Sequence, residues 1–338
     1  MRNPLIISIK STKLKASEKN NLNIFKPYGV ILFSRNISNF NQIKKLVKAI
    51  KSQSRKTLIL IDQEGGIVNR FQKFPEFKFL DNYDYYKIYL RYPSLAKQLV
   101  YLKSFITSYY LKEIGIDINT IPVLDLPIHN TATIIKKRTF GPNIDTNIIL
   151  NEVLLSASKQ FGLIPVMKHI PGHGVTNRDS HFTLPVSKFS ISELNRHLKI
   201  FKHFNHLPLA MTAHIKYLSW DKNNIATFSY KIINQIIRKN ANFKGLIMSD
   251  DLMMKANEFK ILEAISLSNK AGIDILLDCS SDWERYIEII KNFNITNKYK
   301  AKINLQLGKL NRSKFNNKSI NINNYHHLYN ELVKHYGI

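Results

Sequence analysis

Residues 163–181 read Leu-Ile-Pro-Val-Met-Lys-His-Ile-Pro-Gly-His-Gly-Val-Thr-Asn-Arg-Asp-Ser-His. Residues 163–167 are an apolar run of the length of a buried strand. Residues 168–181 then gather Lys168, His169, His173, Arg178, Asp179 and His181, with Pro171, Gly172 and Gly174 turning the chain between them. An apolar strand that empties into a tight loop of ionisable groups is where an α/β enzyme keeps its chemistry.

The same pattern repeats outward in both directions. Apolar runs at residues 5–9, 28–33, 57–61 and 116–124 precede this strand, and runs at 207–212, 245–248 and 272–277 follow it. Helical segments alternate with them. Ile43, Leu46, Val47 and Ile50 have helical spacing. Residues 94–114 form a helix that Gly115 can cap, and Asp145 can open another that ends at Gly162. Ser190-x-x-Glu193 is a capping box, and Thr227 or Ser229 can start the helix through Ile232, Ile233, Ile236 and Ile237. Residues 258–270 complete the series, while 71–93 read as a long loop with a short helix.

Eight strands alternating with helices predict parallel strands covered by helices, closed as a (β/α)8 barrel. One domain is expected over residues 1–338. Its barrel core spans about 4–280, and a Lys- and Asn-rich helical extension over about 282–338 packs its last helix outside. No Gly-x-Gly-x-x-Gly follows the first strand and no Gly-Lys-Ser/Thr loop occurs, so nothing local supports a dinucleotide or P-loop fold.

Composition sets the outer bounds. A hydrophobic fraction of 44% and a charged fraction of 22% are those of a globular protein. The single cysteine, Cys279, excludes an intramolecular disulfide framework and a cysteine-based zinc cluster. The formal net charge of +26 admits a polyanion partner, or a background drifted toward Lys, Asn and Ile. The lysines are spread along the chain and no aromatic–basic motif accompanies them, so no specific nucleic-acid partner is expected. No apolar run reaches the roughly 18 residues of a spanning helix, and the first ten residues suit a strand better than a signal peptide. A cytoplasmic monomer is the expectation, with no membrane association.

Position then selects the chemistry. Asp62, Asp125, Lys168, His169, His214 and Asp250 all stand at or just past C-terminal strand ends, which a barrel gathers on one face. Asp250 is followed by Asp251, and only one of the two can easily serve one small pocket. In Asp179-x-His181 a carboxylate can fix the tautomer of an imidazole and raise its basicity. An Asp nucleophile with a His–Asp acid/base pair suits displacement at an acetal carbon. Lys168, Arg138 and Arg70 can donate hydrogen bonds to an anionic or hydroxyl-rich ligand, and Tyr217 or Trp220 can stack on a sugar or merely pack. A metal site built from His169, His173, His181 and His214 is the competing chemistry, without a His-Glu-x-x-His motif behind it.

These blocks together resemble glycoside hydrolase family 3, and more narrowly its bacterial β-N-acetylhexosaminidases of cell-wall recycling. The resemblance rests on Lys168 to Gly174 with Asp179-Ser180-His181 and Leu184-Pro185. Asp62-Gln63-Glu64-Gly65-Gly66 with Arg70, Arg138-Thr139-Phe140-Gly141, Met211 to His214, and Lys244 to Leu252 agree with it in family order. It implies a barrel, sometimes irregular at its second strand, that removes terminal non-reducing β-linked N-acetylglucosamine with retention of configuration and needs no metal or organic cofactor. It implies Asp250 as the nucleophile, His181 as the general acid/base, Asp179 as its partner, and Asp62, Arg70, Arg138, Lys168 and His169 as sugar-binding residues. Asp125 and His214 remain further pocket candidates. The implied substrate is N-acetylglucosaminyl-anhydro-N-acetylmuramic acid, with or without peptide. Another β-glycoside, or a catalytically dead basic barrel that binds polyanions or cell-wall fragments, is the alternative. Two positions depart from the family pattern. Ile67 stands where an arginine is usual, and Lys136 where a glycine is common, in the loop expected to shape the sugar pocket.

Overall fold

The computed structural model describes residues 2–177, 180, 183–293 and 320–337. The order begins β1 (Asn3–Ser8), α1 (Ala16–Phe25), β2 (Pro27–Leu32), α2 (Phe40–Gln53) and β3 (Leu58–Ile61). It continues α3 (Asn82–Arg91), α4 (Pro93–Ile114), β4 (Ile118–Asn119), α5 (Thr133–Lys137), α6 (Ile144–Gln160), β5 (Ile164–Ile170) and β6 (Val186–Ser187). Then follow α7 (Ile191–His203), β7 (Leu209–Thr212), β8 (Lys216–Tyr217), a π-helix over Ile232–Asn240, β9 (Leu246–Asp251), α8 (Ile261–Ala271), β10 (Ile275–Asp278), α9 (Trp283–Asn292) and a C-terminal helix, Ile322–His335.

Eight of these strands close a parallel barrel in the order β1-β2-β3-β4-β5-β7-β9-β10, and β10 returns to β1 with Leu5 opposite Leu276 and Ile7 opposite Asp278. All eight apolar runs of the sequence supply one strand each. They read as unbroken runs because both faces are covered: β2 and β3 are buried at every residue. Gly29 leaves room inside the barrel for the Leu60 side chain, which a Cβ there would displace. The remaining pair, β6 and β8, forms a separate two-stranded ribbon.

The irregularity expected at the second strand lies chiefly elsewhere. β2 runs in even parallel register with β3, although its pairing with β1 shifts between Asn3 and Ile6. The residues of 116–124 yield only a two-residue strand, because Pro122 has no N–H to donate to the ladder. Pairing with β5 resumes beyond it, where the Leu124 N–H donates to the Lys168 carbonyl at 2.7 Å.

The helices follow their local chemistry. In α2 the buried residues are Ile43, Leu46, Val47 and Ile50, each worth roughly 1.5–3 kcal/mol in the core. Asn39 caps this helix, its side chain accepting from the Gln42 N–H at 2.9 Å. Gly115 ends α4 at φ 94°, and Ser190 and Glu193 form their capping box. Two expectations need correction and one stated alternative is decided. Asn143, not Asp145, caps α6, accepting from the Thr146 N–H at 2.9 Å, while Asp145 sits in the first turn where a carboxylate suits the helix dipole. Ser229 rather than Thr227 opens the next helix, accepting from the Ile232 N–H at 3.0 Å. Helices α1 and α5 lie where no helix was expected.

The C-terminal helix packs against α4 on the outside of the barrel. Tyr325 stacks on Phe105 at 4.2 Å between ring centres, and the Tyr329 and Tyr85 hydroxyls meet at 2.7 Å. Among the described residues, no helix is long and apolar enough to cross a membrane.

Candidate active site

The C-terminal strand ends open into one cleft of about 550 Å³, lined among others by Asp62, Arg70, Arg138, Lys168, His169 and Asp250. These residues come from the ends of β3, β5 and β9 and from the loops after β3 and α5. A parallel barrel puts all strand ends at one height, so residues far apart in sequence share a floor.

A continuous charge network forms that floor. The Lys168 ammonium lies 3.1 Å from Asp62 Oδ1 and 2.7 Å from Glu64 Oε1, and it donates to Thr120 Oγ1 at 2.8 Å. The Thr120 hydroxyl donates in turn to Asp62 Oδ1. Arg70 Nη2 holds the other Asp62 oxygen at 3.0 Å, its guanidinium lying over the Phe33 ring. Arg138 clasps Glu64 with two hydrogen bonds, Nε to Oε2 at 3.0 Å and Nη2 to Oε1 at 2.8 Å. The planar fork of arginine fits a carboxylate in this way, which a lysine cannot do. Burial alone would raise both carboxyls. Lys168 and Arg70 instead hold Asp62 far below the usual carboxylate range, and Arg138 with Lys168 hold Glu64 at about 2. Both are therefore anions, and they fix the cations between them on the floor of the cleft. Such an array suits a ligand rich in hydroxyls, whose hydrogen bonds to charged groups exceed neutral ones in strength.

His169 is oriented from behind. Its Nδ1 is 2.7 Å from Asp125 Oδ2, while its Nε2 stands 3.3 Å from Arg138 Nη2. Asp125 Oδ1 accepts the backbone N–H groups of His169 at 3.2 Å and His173 at 2.6 Å. Burial raises the Asp125 carboxyl, but His169 and the hydrogen bonds outweigh that and leave it at about 2. Asp125 thus fixes the imidazole and the turn of the loop, and does not itself line the cleft. His214 does not line it either. It is fully buried, with Nδ1 2.8 Å from the Thr227 hydroxyl.

Asp250 and Asp251 end β9, and they differ in their ties. Asp251 Oδ1 accepts the Met253 N–H at 3.0 Å and the Cys279 N–H at 2.9 Å, holding the turn. Burial pushes its carboxyl up to about 6 in spite of those bonds. Asp250 Oδ1 accepts the Asp251 N–H at 2.8 Å, and both aspartates border the cleft.

Asp179 and His181 lie outside the described residues. Between them in sequence, Ser180 is buried: its hydroxyl lies 3.0 Å from His173 Nε2 and its carbonyl accepts the Ala256 N–H at 3.2 Å. Burial, with His169 beside it, lowers the His173 imidazole to about 4, so this histidine is a neutral packing group. Gly174 passes so close to Leu126 that a Cβ would overlap its carbonyl oxygen. Tyr217 and Trp220 are packing residues, 1% and 3% exposed, and the Tyr217 hydroxyl donates to the Gly172 carbonyl at 2.8 Å. Among the described residues, no group of three or more His, Cys, Asp or Glu is placed to hold a metal ion.

Sequence reasoning missed Glu64 and Thr120. Glu64 was legible only as part of a polar turn, although an acid two residues beyond Asp62 was a usable signal. Thr120 carried none. Of the two departures, Ile67 does stand on the cleft wall. Lys136 does not, because it turns to the opposite side of α5 from the cleft residues Ile134 and Arg138.

Comparison with known proteins identifies the family and the fold. The model of the glycosyl hydrolase family 3 N-terminal domain matches residues 5–310. A beta-hexosaminidase of Psychromonas ingrahamii is 31% identical over 305 residues, covering 86% of this chain and 87% of the relative. One of Shewanella frigidimarina is 32% identical over 283 residues, covering 82% of each. The crystal structure of NagZ from Neisseria gonorrhoeae in complex with N-trifluoroacetyl-D-glucosamine superposes with a TM-score of 0.87 at 28% identity, covering 98% of both chains.

Proposed function

The chain belongs to glycosyl hydrolase family 3, and from that premise we propose that it is a retaining exo-β-N-acetylglucosaminidase working as one domain. Its substrates are terminal, non-reducing β-linked N-acetylglucosamine residues on peptidoglycan turnover fragments. The observation that carries this reading is the cleft itself. It brings the strand-end carboxylates Asp250 and Asp251 together with Asp62, Arg70, Arg138, Lys168 and His169, and because Asp251 is tied to the backbone of the turn, Asp250 is assigned as the nucleophile.

In this reading Asp62 accepts hydrogen bonds from sugar hydroxyls, Arg70, Arg138 and Lys168 donate to sugar oxygens, and His169, its Nδ1–H held by Asp125, offers Nε2 as an acceptor. The Asp250 carboxylate attacks the anomeric carbon and the glycosidic C–O bond breaks. His181, protonated and supported by Asp179, gives its proton to the departing oxygen. A glycosyl ester on Asp250 results. Neutral His181 then takes a proton from water, the hydroxide attacks the anomeric carbon, and Asp250 is released with configuration retained. A histidine can fill both roles near neutral pH because its two forms are close in energy there. The usual retaining pair is two carboxylates, so the imidazole is the distinctive part of the mechanism. The reading places a monomer in the cytoplasm.

The test is mass spectrometry after reaction with a fluorinated N-acetylglucosaminyl trap. One adduct on Asp250 is expected. Labelling of Asp251, an intermediate formed by the substrate's own acetamido group, or clear preference for an aryl glucoside over an aryl N-acetylglucosaminide would refute the mechanism or the substrate.

A further inference from the structure

A second hollow, of about 430 Å³, lies on the far side of α5 from the cleft. Two residues apart on a helix means nearly opposite faces, so Ile134 and Arg138 look into the cleft while Lys136 looks into this hollow. Arg196 and His197 of α7, Tyr83 of α3 and His129 complete its polar lining, and no carboxylate lines it.

Among the described residues, its two cations have no carboxylate partner. Nearby, Lys137 pairs with Asp81 at 3.3 Å and Lys87 with Asp84 at 2.8 Å. Lys136 and Arg196 pair with no carboxylate among the described residues, and the Lys136 ammonium instead lies 4.9 Å from the centre of the Tyr83 ring. The independent observation is His197. It is 8% exposed, and its Nδ1 is buried with no hydrogen-bond partner among the described residues. A buried ring nitrogen without a partner is costly unless a ligand supplies one. Two free cations, an aromatic wall and an unmet imidazole nitrogen together make a receptor for an oxyanion.

We propose that this hollow binds a carboxylate carried by the peptide of the substrate's leaving group, while the cleft holds the sugar to be cleaved. The inference rests on the hydrolase reading above and deepens it, since it selects peptide-bearing fragments over the bare disaccharide. The distance is suitable. A helix with its side chains is roughly 10–12 Å across, and three extended residues span about 10 Å. A short peptide leaving the cleft can therefore cross α5. It also gives Lys136, the departure from the family pattern, a role beyond the sugar pocket.

The test compares three substrates on wild type, Lys136→Ala and Arg196→Ala. They are an aryl N-acetyl-β-glucosaminide, the disaccharide tripeptide with free carboxylates, and the same tripeptide with its carboxylates amidated. Wild type is expected to prefer the free acid over the amide by about tenfold in kcat/KM, the scale of a hydrogen-bonded charge. Each variant should lose most of that preference and keep aryl glycoside turnover within about twofold. Equal cleavage of acid and amide by wild type, or variants that lower all three substrates together, would overturn the proposal. Inorganic phosphate, titrated calorimetrically, separates the other source of the same chemistry. If phosphate binds wild type and not the variants while acid and amide are cleaved alike, the hollow serves a free anion and the substrate assignment falls. No turnover of even the aryl glycoside by wild type would sink the hydrolase reading itself.

Discussion

Replacing Glu64 by glutamine probes the hinge of the charge network, because shape is kept and only the charge goes. Glu64 is 2% exposed, and it holds Lys168 at 2.7 Å and Arg138 through two bonds. Burial alone would raise its carboxyl, yet Arg138 and Lys168 bring it from 4.5 to about 2. At about 1.4 kcal/mol per tenfold in acidity, that depression corresponds to about 3 kcal/mol of stability. The folded value lies below the unfolded one, so this contribution is fully present above about 4.5 and fades as pH falls toward about 2. Glu64→Gln should therefore be less stable than wild type by about 3 kcal/mol near neutral pH, approaching the ~3–5 kcal/mol of a broken buried pair. The gap should close as pH falls through that window, since glutamine does not titrate. Urea unfolding followed by the fluorescence of Trp220 and Trp283, repeated across pH, measures it. Loosened Arg138 and Lys168 should also raise KM for an aryl N-acetylglucosaminide. A gap below about 1 kcal/mol at neutral pH, or one that does not change with acidity, would refute the claim that Glu64 organises these cations.

Two further outcomes follow from the geometry. Asp125→Asn keeps the shape but can offer an N–H to His169 Nδ1, favouring the wrong tautomer. Its kcat/KM should fall by about tenfold or more, together with a stability loss of about 2 kcal/mol near neutral pH from the lost depressed carboxylate; unchanged steady-state kinetics would remove Asp125 from the positioning of His169. Gly174→Ala drives a methyl group into the Leu126 carbonyl, so the loop must shift by more than a side-chain adjustment. A loss of about 1–3 kcal/mol in chemical unfolding, with reduced kcat, is expected; a variant as stable and active as wild type would show that this close approach is not needed.

The strands were legible because their cause is local. A strand buried on both faces must be apolar at consecutive residues, and eight such runs, each ending in polar residues, appear as plainly in the sequence as in the barrel. The cleft set of Asp62, Arg70, Arg138, Lys168, His169 and Asp250 was legible too, from strand-end position together with the family blocks. Position gives height on the barrel but not direction. Asp125 and His214 lie just past strand ends as well, yet both are buried, because their partners lie inward: Asp125 holds His169 and the His173 N–H, and His214 holds the Thr227 hydroxyl.

What the sequence determined by itself was therefore the class of fold, the face that carries chemistry and the acids and bases available there. Only the tertiary structure decided how they are wired. Glu64 meets Arg138 across 74 residues of chain, and Lys168 meets Asp62 across 106. No periodicity or local propensity records such a meeting. It turned a polar turn residue into the anion that fixes two cations, and it sent Lys136 away from the sugar. The physical reason is that hydrophobic pattern acts over a few neighbouring residues, whereas the field at a buried charge is set by whichever groups closure of the barrel brings within a few ångströms.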